Sequence, residues 1–256
     1  MFMNWSDIFT FMTDRDPEFI TTITGSNRND INTCQRELDI NFPASYVDFL
    51  LTMGVDTGRY HPFGKFMDSN FYRVLRQIPP EEYDIHDYFL IARDTVESRC
   101  PPYDLYLDMG RNDGHDAELV LAENGSEWAP EDRVRLTLLE RLSASAWRGF
   151  DALRFEHNRA IHVHTKDAAE LIEARERSVE LLTKQGFSPS LPALERIICL
   201  ETSTMTAITE LDEVLRMAVV VVAGNDEKEL GLMVELFLDN IPRASVDEKA
   251  KSIAVY

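Results

Sequence analysis

Hydrophobic and polar positions between Asp30 and Gly54 have the periodicity of two short helices joined by an extended corner. Asp30 is placed to cap the first helix, and Pro43 suits the first position of the second because proline has no amide hydrogen. Gly54 is placed to end the second helix. The apolar positions at helical spacing are Ile31, Cys34 and Leu38, followed by Tyr46, Phe49, Leu50 and Met53. The pattern therefore predicts a helical corner with two apolar faces that pack on another layer.

The rest of the N-terminal half predicts helices at both ends and strands between them. Trp5, Ile8, Phe9 and Met12 recur at helical spacing, which predicts a short helix packing beside the corner. A brief helix is predicted over 71–78. Alternating or continuous apolar runs bounded by turn residues predict strands at 89–92, 104–107 and 118–122. This order indicates an α+β domain with a mostly antiparallel sheet.

From about Glu156 the pattern changes, and we predict a domain boundary there, between 1–155 and 156–256. Strands are predicted at 160–164, 197–201, 217–223 and 253–256, with helices over 166–185 and 227–238. The resulting order β-α-β-β-α-β is that of a ferredoxin-like sandwich. The second helix has an apolar stripe of Leu230, Met233, Val234, Phe237 and Leu238. That pattern fits a core face or an interface equally well.

The stretch from Ile31 to Gly54 also resembles the opening signature of the SUKH superfamily, the Smi1/Knr4-like domains. The matching positions are Glu37, Leu38, Ile40, Pro43, Tyr46, Phe49, Leu50 and Gly54. The segments 87–94 and 104–109 are similar to the family's central strands, and 144–153 to its closing helix. The resemblance covers roughly residues 31–153. It departs from the family at two loops, Met53–Val55 and Ser98–Pro102.

The net charge of −19 is the strongest compositional feature. It argues against binding nucleic acid, because phosphates would be repelled rather than neutralised. It favours fast, salt-sensitive association with a basic protein. A plain solubilising role for the acidic residues explains the same composition.

Nothing in the sequence predicts a membrane segment or a secretory signal. The longest apolar run, residues 217–223, suits a buried strand, and the N-terminus has no basic region. Cys34, Cys100 and Cys199 are far apart in the sequence, which is typical of reduced thiols, and we expect a cytoplasmic protein.

The densest acidic stretch, from Asp104 to Asp132, is the candidate docking surface for a basic partner. Most of its carboxylates are predicted to share one edge of the sheet, interleaved with the amphipathic aromatics favoured at interfaces. The predicted partner-binding residues are Tyr103, Asp104, Tyr106, Asp108, Asp113, Asp116, Glu118, Glu123, Glu127 and Trp128. The alternative is a solvated loop edge. A calcium loop fails because Asp113 stands where the loop template needs glycine.

No residue set predicts catalysis, and neither a metal nor another cofactor is predicted. Nucleophile-elbow, paired Cys-His, P-loop and dinucleotide-binding motifs do not occur in the sequence. His162 and His164 fall on one face of a predicted strand, with His157 nearby, and two imidazoles can take part in a zinc or iron site. Surface-facing alternation explains the same letters, so an enzyme using this pair is the lesser alternative.

The resemblance implies a bacterial immunity protein, since SUKH members are widely associated with polymorphic toxin systems. Such a protein binds its cognate toxin domain, often a nuclease, and blocks it without turnover. The expected mechanism is occlusion of the toxin's basic substrate-binding surface, with buried Tyr and Trp anchors adding affinity. The alternative with the same fold is a non-catalytic regulatory scaffold for a basic protein, the role ascribed to the family's eukaryotic relatives.

Overall fold

The computed structural model describes residues 3–77, 84–95, 103–123, 133–213 and 215–246. It has the predicted α+β class, with two sheets whose strand pairs are all antiparallel in the described ranges. The chain forms two compact units. Among the described residues, the first unit holds 4–6 and 16–145, and the second holds residue 3, 7–15 and 146–246. The compositional change near Glu156 falls inside the second unit.

Helix α1 spans Trp5–Arg15, as the sequence predicted, and a 3₁₀ turn follows at Pro17–Thr21. The elements that come next are α2 (Arg28–Glu37), α3 (Ala44–Met53), β1 (Met67–Asp68), α4 (Phe71–Leu75), β2 (Tyr88–Asp94), β3 (Tyr103–Asn112), β4 (Ala117–Glu123), β5 (Arg133–Thr137) and α5 (Leu138–Ala146). The three strands predicted in this half correspond to β2, β3 and β4. β5 and most of α5 were not predicted.

The helical corner has the predicted form, although two of its caps differ from prediction. The Asn27 side chain caps α2 by accepting a hydrogen bond from the Asn29 amide at 2.8 Å, so Asp30 lies within the helix. Pro43 is the residue before α3 rather than its first residue. The cap of α2 shifts because several polar residues at a helix start can serve as the cap. The shift at Pro43 is within the usual variation of helix bounds, about one or two residues. Gly54 follows α3 as predicted, with helical backbone angles.

Aromatic residues of the corner pack on the first sheet, whose strand order is β1-β2-β3-β4-β5. The Phe42 ring lies 4.6 Å from the Phe89 ring of β2, edge to face, and 5.2 Å from the Tyr46 ring. Phe49 stands 5.5 Å from Trp5 in the same geometry. Edge-to-face pairs add to the free energy gained by burying the rings, so this cluster fixes how α3 lies on β2.

The second unit continues with a π-helical turn (Trp147–Asp151) and a 3₁₀ turn (Ala152–Arg154). Its remaining elements are β6 (His157–His164), α6 (Ala168–Lys184), β7 (Ser188–Pro189), β8 (Ile197–Glu201), β9 (Met205–Asp212), β10 (Met217–Gly224), α7 (Glu227–Asn240) and β11 (Ala244–Val246). The segment 144–153, which resembles the closing helix of SUKH domains, is therefore not one continuous α-helix, because the π-helical turn interrupts it.

The second sheet has the order β11-β6-β10-β9-β8-β7. Its strands β11, β6, β10 and β9, together with α6 and α7, have the order of a ferredoxin-like sandwich, with β8 and β7 added at one edge. Strand β9 was not predicted, and the segment predicted as the second strand is β8. The predicted last strand, 253–256, lies outside the described residues, and β11 occupies the final position instead.

The two faces of this sheet are covered differently. On one face, Leu171 and Leu182 of α6 and Leu230 and Phe237 of α7 pack against apolar residues of β6, β9 and β10. The stripe residues Leu230 and Phe237 are therefore core. On the other face, a buried polar network joins the π-helical turn to β9. The Trp147 indole donates to the Thr206 hydroxyl at 2.8 Å, and that hydroxyl donates to Asp151 at 2.5 Å.

Two buried threonines of β9 provide a matched test of this difference. We expect Thr206→Val to lower the free energy of unfolding by about 1–3 kcal/mol, because it leaves the Trp147 N–H and one oxygen of the buried Asp151 carboxylate without a partner. Thr209 is equally buried, but its hydroxyl has no hydrogen-bond partner among the described residues. Thr209→Val should therefore be neutral or stabilising by up to about 1 kcal/mol. Urea unfolding of both variants checks this, and equal losses would contradict it.

Candidate protein-interaction surface

Strand β3 buries three of the predicted partner-binding residues. Asp104, Tyr106 and Asp108 alternate along the strand and lie on one face of the sheet, each no more than 6% exposed. Tyr106 packs there with Val74 and Val120. Placing these three residues on a docking surface was therefore wrong for the folded chain, since a buried side chain makes no contact with a partner. Tyr103, at the start of the strand, is 38% exposed.

The buried Asp104 carboxyl lies 3.4 Å from the Arg93 guanidinium. Burial raises the pKa of Asp104 to about 6, and the charge of Arg93 offsets only part of that rise. Asp108, four residues further along β3, lies 3.8 Å from Arg111. These two carboxylates are balanced by arginines of their own sheet.

The turn between β3 and β4 uses its acidic residues to hold the backbone. The Asp113 carboxylate accepts hydrogen bonds from the amides of His115 at 2.8 Å and Asp116 at 2.7 Å. These bonds lower the pKa of Asp113. The Gly114 and His115 carbonyls accept hydrogen bonds from the first two amides of α3. The turn therefore caps the helical corner.

Asp116 joins three elements of the first unit. One of its carboxylate oxygens accepts a hydrogen bond from the Ser45 hydroxyl in the first turn of α3 at 2.8 Å. The other accepts the amide of Leu139, near the start of α5, at 3.2 Å. A carboxylate near two helix N-termini is stabilised by the positive ends of both helix dipoles, and at α5 it also accepts an amide directly. Asp116 thus has a structural role that its place in an acidic stretch did not predict.

The remaining predicted residues are spread along β4 and the segment that follows it. Glu118 is half-buried and pairs with Arg111 at 2.9 Å. Glu123 ends β4. Glu127 and Trp128 lie outside the described residues. Of the ten, Tyr103 and Asp113 are described as exposed, and partner binding through the accessible members remains a prediction.

The two histidines lie on the sheet face opposite Ile161 and Val163. His162 of β6 is half-buried and stands opposite Val219 and Ser245, while His164 at the strand end is exposed. Among the residues that the structure describes, no three histidine, cysteine or acidic side chains are grouped as metal ligands. Cys34 and Cys199 are both buried, and burial raises the pKa of each thiol, that of Cys34 to about 11.

A second surface, on α7, was not predicted. Leu238, assigned to the apolar stripe, is 44% exposed, and Leu232, outside the stripe, is 58% exposed. Periodicity assigns a leucine to a face only within the width of the stripe, and Leu238 lies at its margin. The signal that the sequence offered was Leu232, which falls out of phase with the core positions.

Comparison with known proteins gives no relative: no family model matches the chain, and no curated protein matches it either. None of the helices within the described ranges is both long and apolar enough to cross a membrane.

We expect Asp116→Ala to lower the free energy of unfolding by about 1–3 kcal/mol, since the Ser45 hydroxyl and the Leu139 amide both lose their acceptor. Glu118→Gln is the matched control in the same hairpin. It removes only a surface ion pair, so its effect should stay below about 1 kcal/mol. Denaturant titration of both variants measures the difference, and comparable losses would refute the capping role.

The raised pKa of Asp104 predicts a pH dependence with a defined sign. Between about pH 4 and pH 6 the folded state holds a proton on Asp104 that the unfolded state has released, so stability falls as pH rises through this window. Asp104→Asn removes this loss. Relative to the parent protein, the variant should gain about 2 kcal/mol of unfolding free energy between pH 4 and pH 7.

Asp113→Asn is the control with the opposite sign. Its carboxylate has a lowered pKa in the folded state, so its contribution is present above about pH 4 and is lost as pH falls. This variant should therefore be less stable than the parent protein at neutral pH and approach it in acid. Parallel pH curves for the parent and Asp104→Asn would contradict the assignment of Asp104.

Proposed function

We propose that this chain is a bacterial immunity protein that binds a cognate toxin domain, with a nuclease as the leading class, and blocks it without turnover. The observation that carries the proposal is the net charge of −19. A surface of this charge attracts a basic protein and repels nucleic acid, the substrate of a nuclease. The resemblance of residues 31–153 to SUKH domains supplies the class of partner.

The proposed mechanism is occlusion. Nucleases bind phosphates with basic grooves, so an acidic protein can cover such a groove by imitating the charge of the substrate. Long-range attraction speeds the encounter, while apolar and aromatic contacts in the interface hold the complex. The chain needs no catalytic residue or cofactor for this task, and it meets its toxin in the cytoplasm.

The structure refines which acidic residues are available for this role. Asp104 and Asp108 are buried beside arginines, and Asp113 and Asp116 hydrogen-bond to backbone and side-chain groups of their own unit. Partner-facing charge must therefore come from carboxylates that the fold leaves exposed and unpaired. We therefore expect further partner-facing carboxylates outside the Asp104–Asp132 stretch.

The test is to express the toxin domain encoded beside this chain's gene, with and without the protein, and to score survival and complex formation together. We expect rescue of growth and a stoichiometric complex whose Kd rises with salt concentration. A regulatory scaffold would instead give weak binding to several basic proteins without rescue. Failure of both rescue and complex formation would refute the immunity proposal.

A further inference from the structure

The outer face of α7 has two large apolar side chains that are exposed in the part of the chain that the structure describes. Leu232 is 58% and Leu238 44% exposed, whereas the core side of the same helix buries Leu230, Met233 and Phe237. Exposure of two large apolar side chains to water is unfavourable in free energy, and burying them against a partner would be favourable. Scattered exposed leucines are ordinary on protein surfaces, so the neighbouring charges decide whether these two form a surface of their own.

Charged residues and one leucine form a row along the outer face of α7. Residues 228, 232, 235 and 239 follow one another at three- and four-residue spacing, which aligns them along one side of the helix. Leu232 therefore stands within this row, and Leu238 lies to one side of it. Lys228 is the one basic residue of α7, against the acidic residues Glu227, Glu229, Glu235 and Asp239.

The carboxylates of Glu235 and Asp239 have no ion-pair partner among the described residues. Some other exposed glutamates of this unit are paired: Glu227 lies 2.8 Å from Arg159 and Glu173 lies 2.6 Å from Arg177. Two unpaired carboxylates beside exposed leucines are complementary to a surface that combines basic and apolar groups.

Gly231 lies on the same outer side of α7. A Cβ atom at this position would have no heavy atom within 4 Å, so packing does not require glycine. A glycine inside a helix costs about 1 kcal/mol relative to alanine. The missing side chain leaves the helix backbone open beside Leu232, where another chain can approach closely.

We propose that the outer face of α7, defined by Gly231, Leu232, Glu235, Leu238 and Asp239, docks a basic protein partner. The leucines enter apolar contacts, and the two carboxylates pair with lysine or arginine. A second copy of this chain is disfavoured as the occupant, because it carries the same −19 charge and the same carboxylates. The inference rests on the proposed function, and its occupant is the toxin domain of that proposal.

The experiment measures the Kd of the full-length protein for the neighbouring toxin domain at low and at physiological salt. Leu232→Ala/Leu238→Ala should raise the Kd at least about tenfold, by loss of apolar anchors. Glu235→Lys/Asp239→Lys should raise it by a similar factor and flatten its salt dependence.

The matched control lies on α6, where Ile172 is 47% exposed and Glu176 is also exposed. Ile172→Ala/Glu176→Lys makes the same chemical changes on another helix of the same unit. We expect its Kd to stay within about threefold of the parent value. An equal effect of the control would indicate general charge attraction and overturn the assignment to α7.

Gly231→Gln separates docking from folding. Glutamine is a good helix former, so the variant should have a higher Tm than the parent protein. Its side chain would stand beside Leu232 and hinder close approach of a partner, so the Kd should rise at least about tenfold. A raised Tm with an unchanged Kd would show that Gly231 has no part in docking.

The outcomes also distinguish this inference from the proposed function. Rescue and complex formation that survive all three α7 variants unchanged would overturn docking through α7 while leaving the immunity proposal intact. No rescue and no complex with the parent protein would overturn both.

Discussion

The first unit depends on hydrogen bonding at the N-termini of its helices. A helix start has four amides without intrahelical acceptors, and burying them unpaired is costly. Here the turn after β3 supplies acceptors for the first two amides of α3 through the Gly114 and His115 carbonyls, and the Asp116 carboxylate accepts the Ser45 hydroxyl. The same carboxylate reaches the start of α5. The helical corner, the hairpin and the last helix of the unit are thus held by one set of contacts, on which the aromatic packing of α3 against β2 relies.

This arrangement explains why an acidic stretch reads differently in sequence and in structure. A run of Asp and Glu letters suggests a charged surface, but a carboxylate is also the best acceptor for exposed amide groups. Asp113 and Asp116 accept backbone amides, while Asp104 and Asp108 lie against arginines in a sheet. Under the proposed function, the charge that faces a partner belongs to exposed carboxylates without an ion pair among the described residues. Two of these, Glu235 and Asp239, lie on α7 with the exposed Leu232 and Leu238.

The second unit has an apolar face and a polar face on one sheet. The helix-covered face is filled by aliphatic side chains, among them Ile161, Leu171 and Leu230. Periodicity placed Leu230 on an apolar stripe, and the packing shows that this residue is core. The opposite face holds Trp147, Asp151 and Thr206 in a hydrogen-bonded network. Strand β9 has a buried threonine on each face among its apolar residues, so its sequence lacks a regular alternation of polar and apolar positions. A buried threonine is recognisable only when its partner, distant in sequence, is known.

The sequence by itself determined the α+β class, the helical corner, strands β2 to β4 and most elements of the second unit, because periodicity and turn residues are local signals. It also determined the net charge, on which the proposal of a basic partner rests. Only the tertiary structure decided which carboxylates are buried or hydrogen-bonded within the fold, because these contacts join residues far apart in the sequence. Asp116, for example, joins Ser45 and Leu139. It likewise decided that Leu232 and Leu238 stay exposed, since the face of a helix is defined by what covers it.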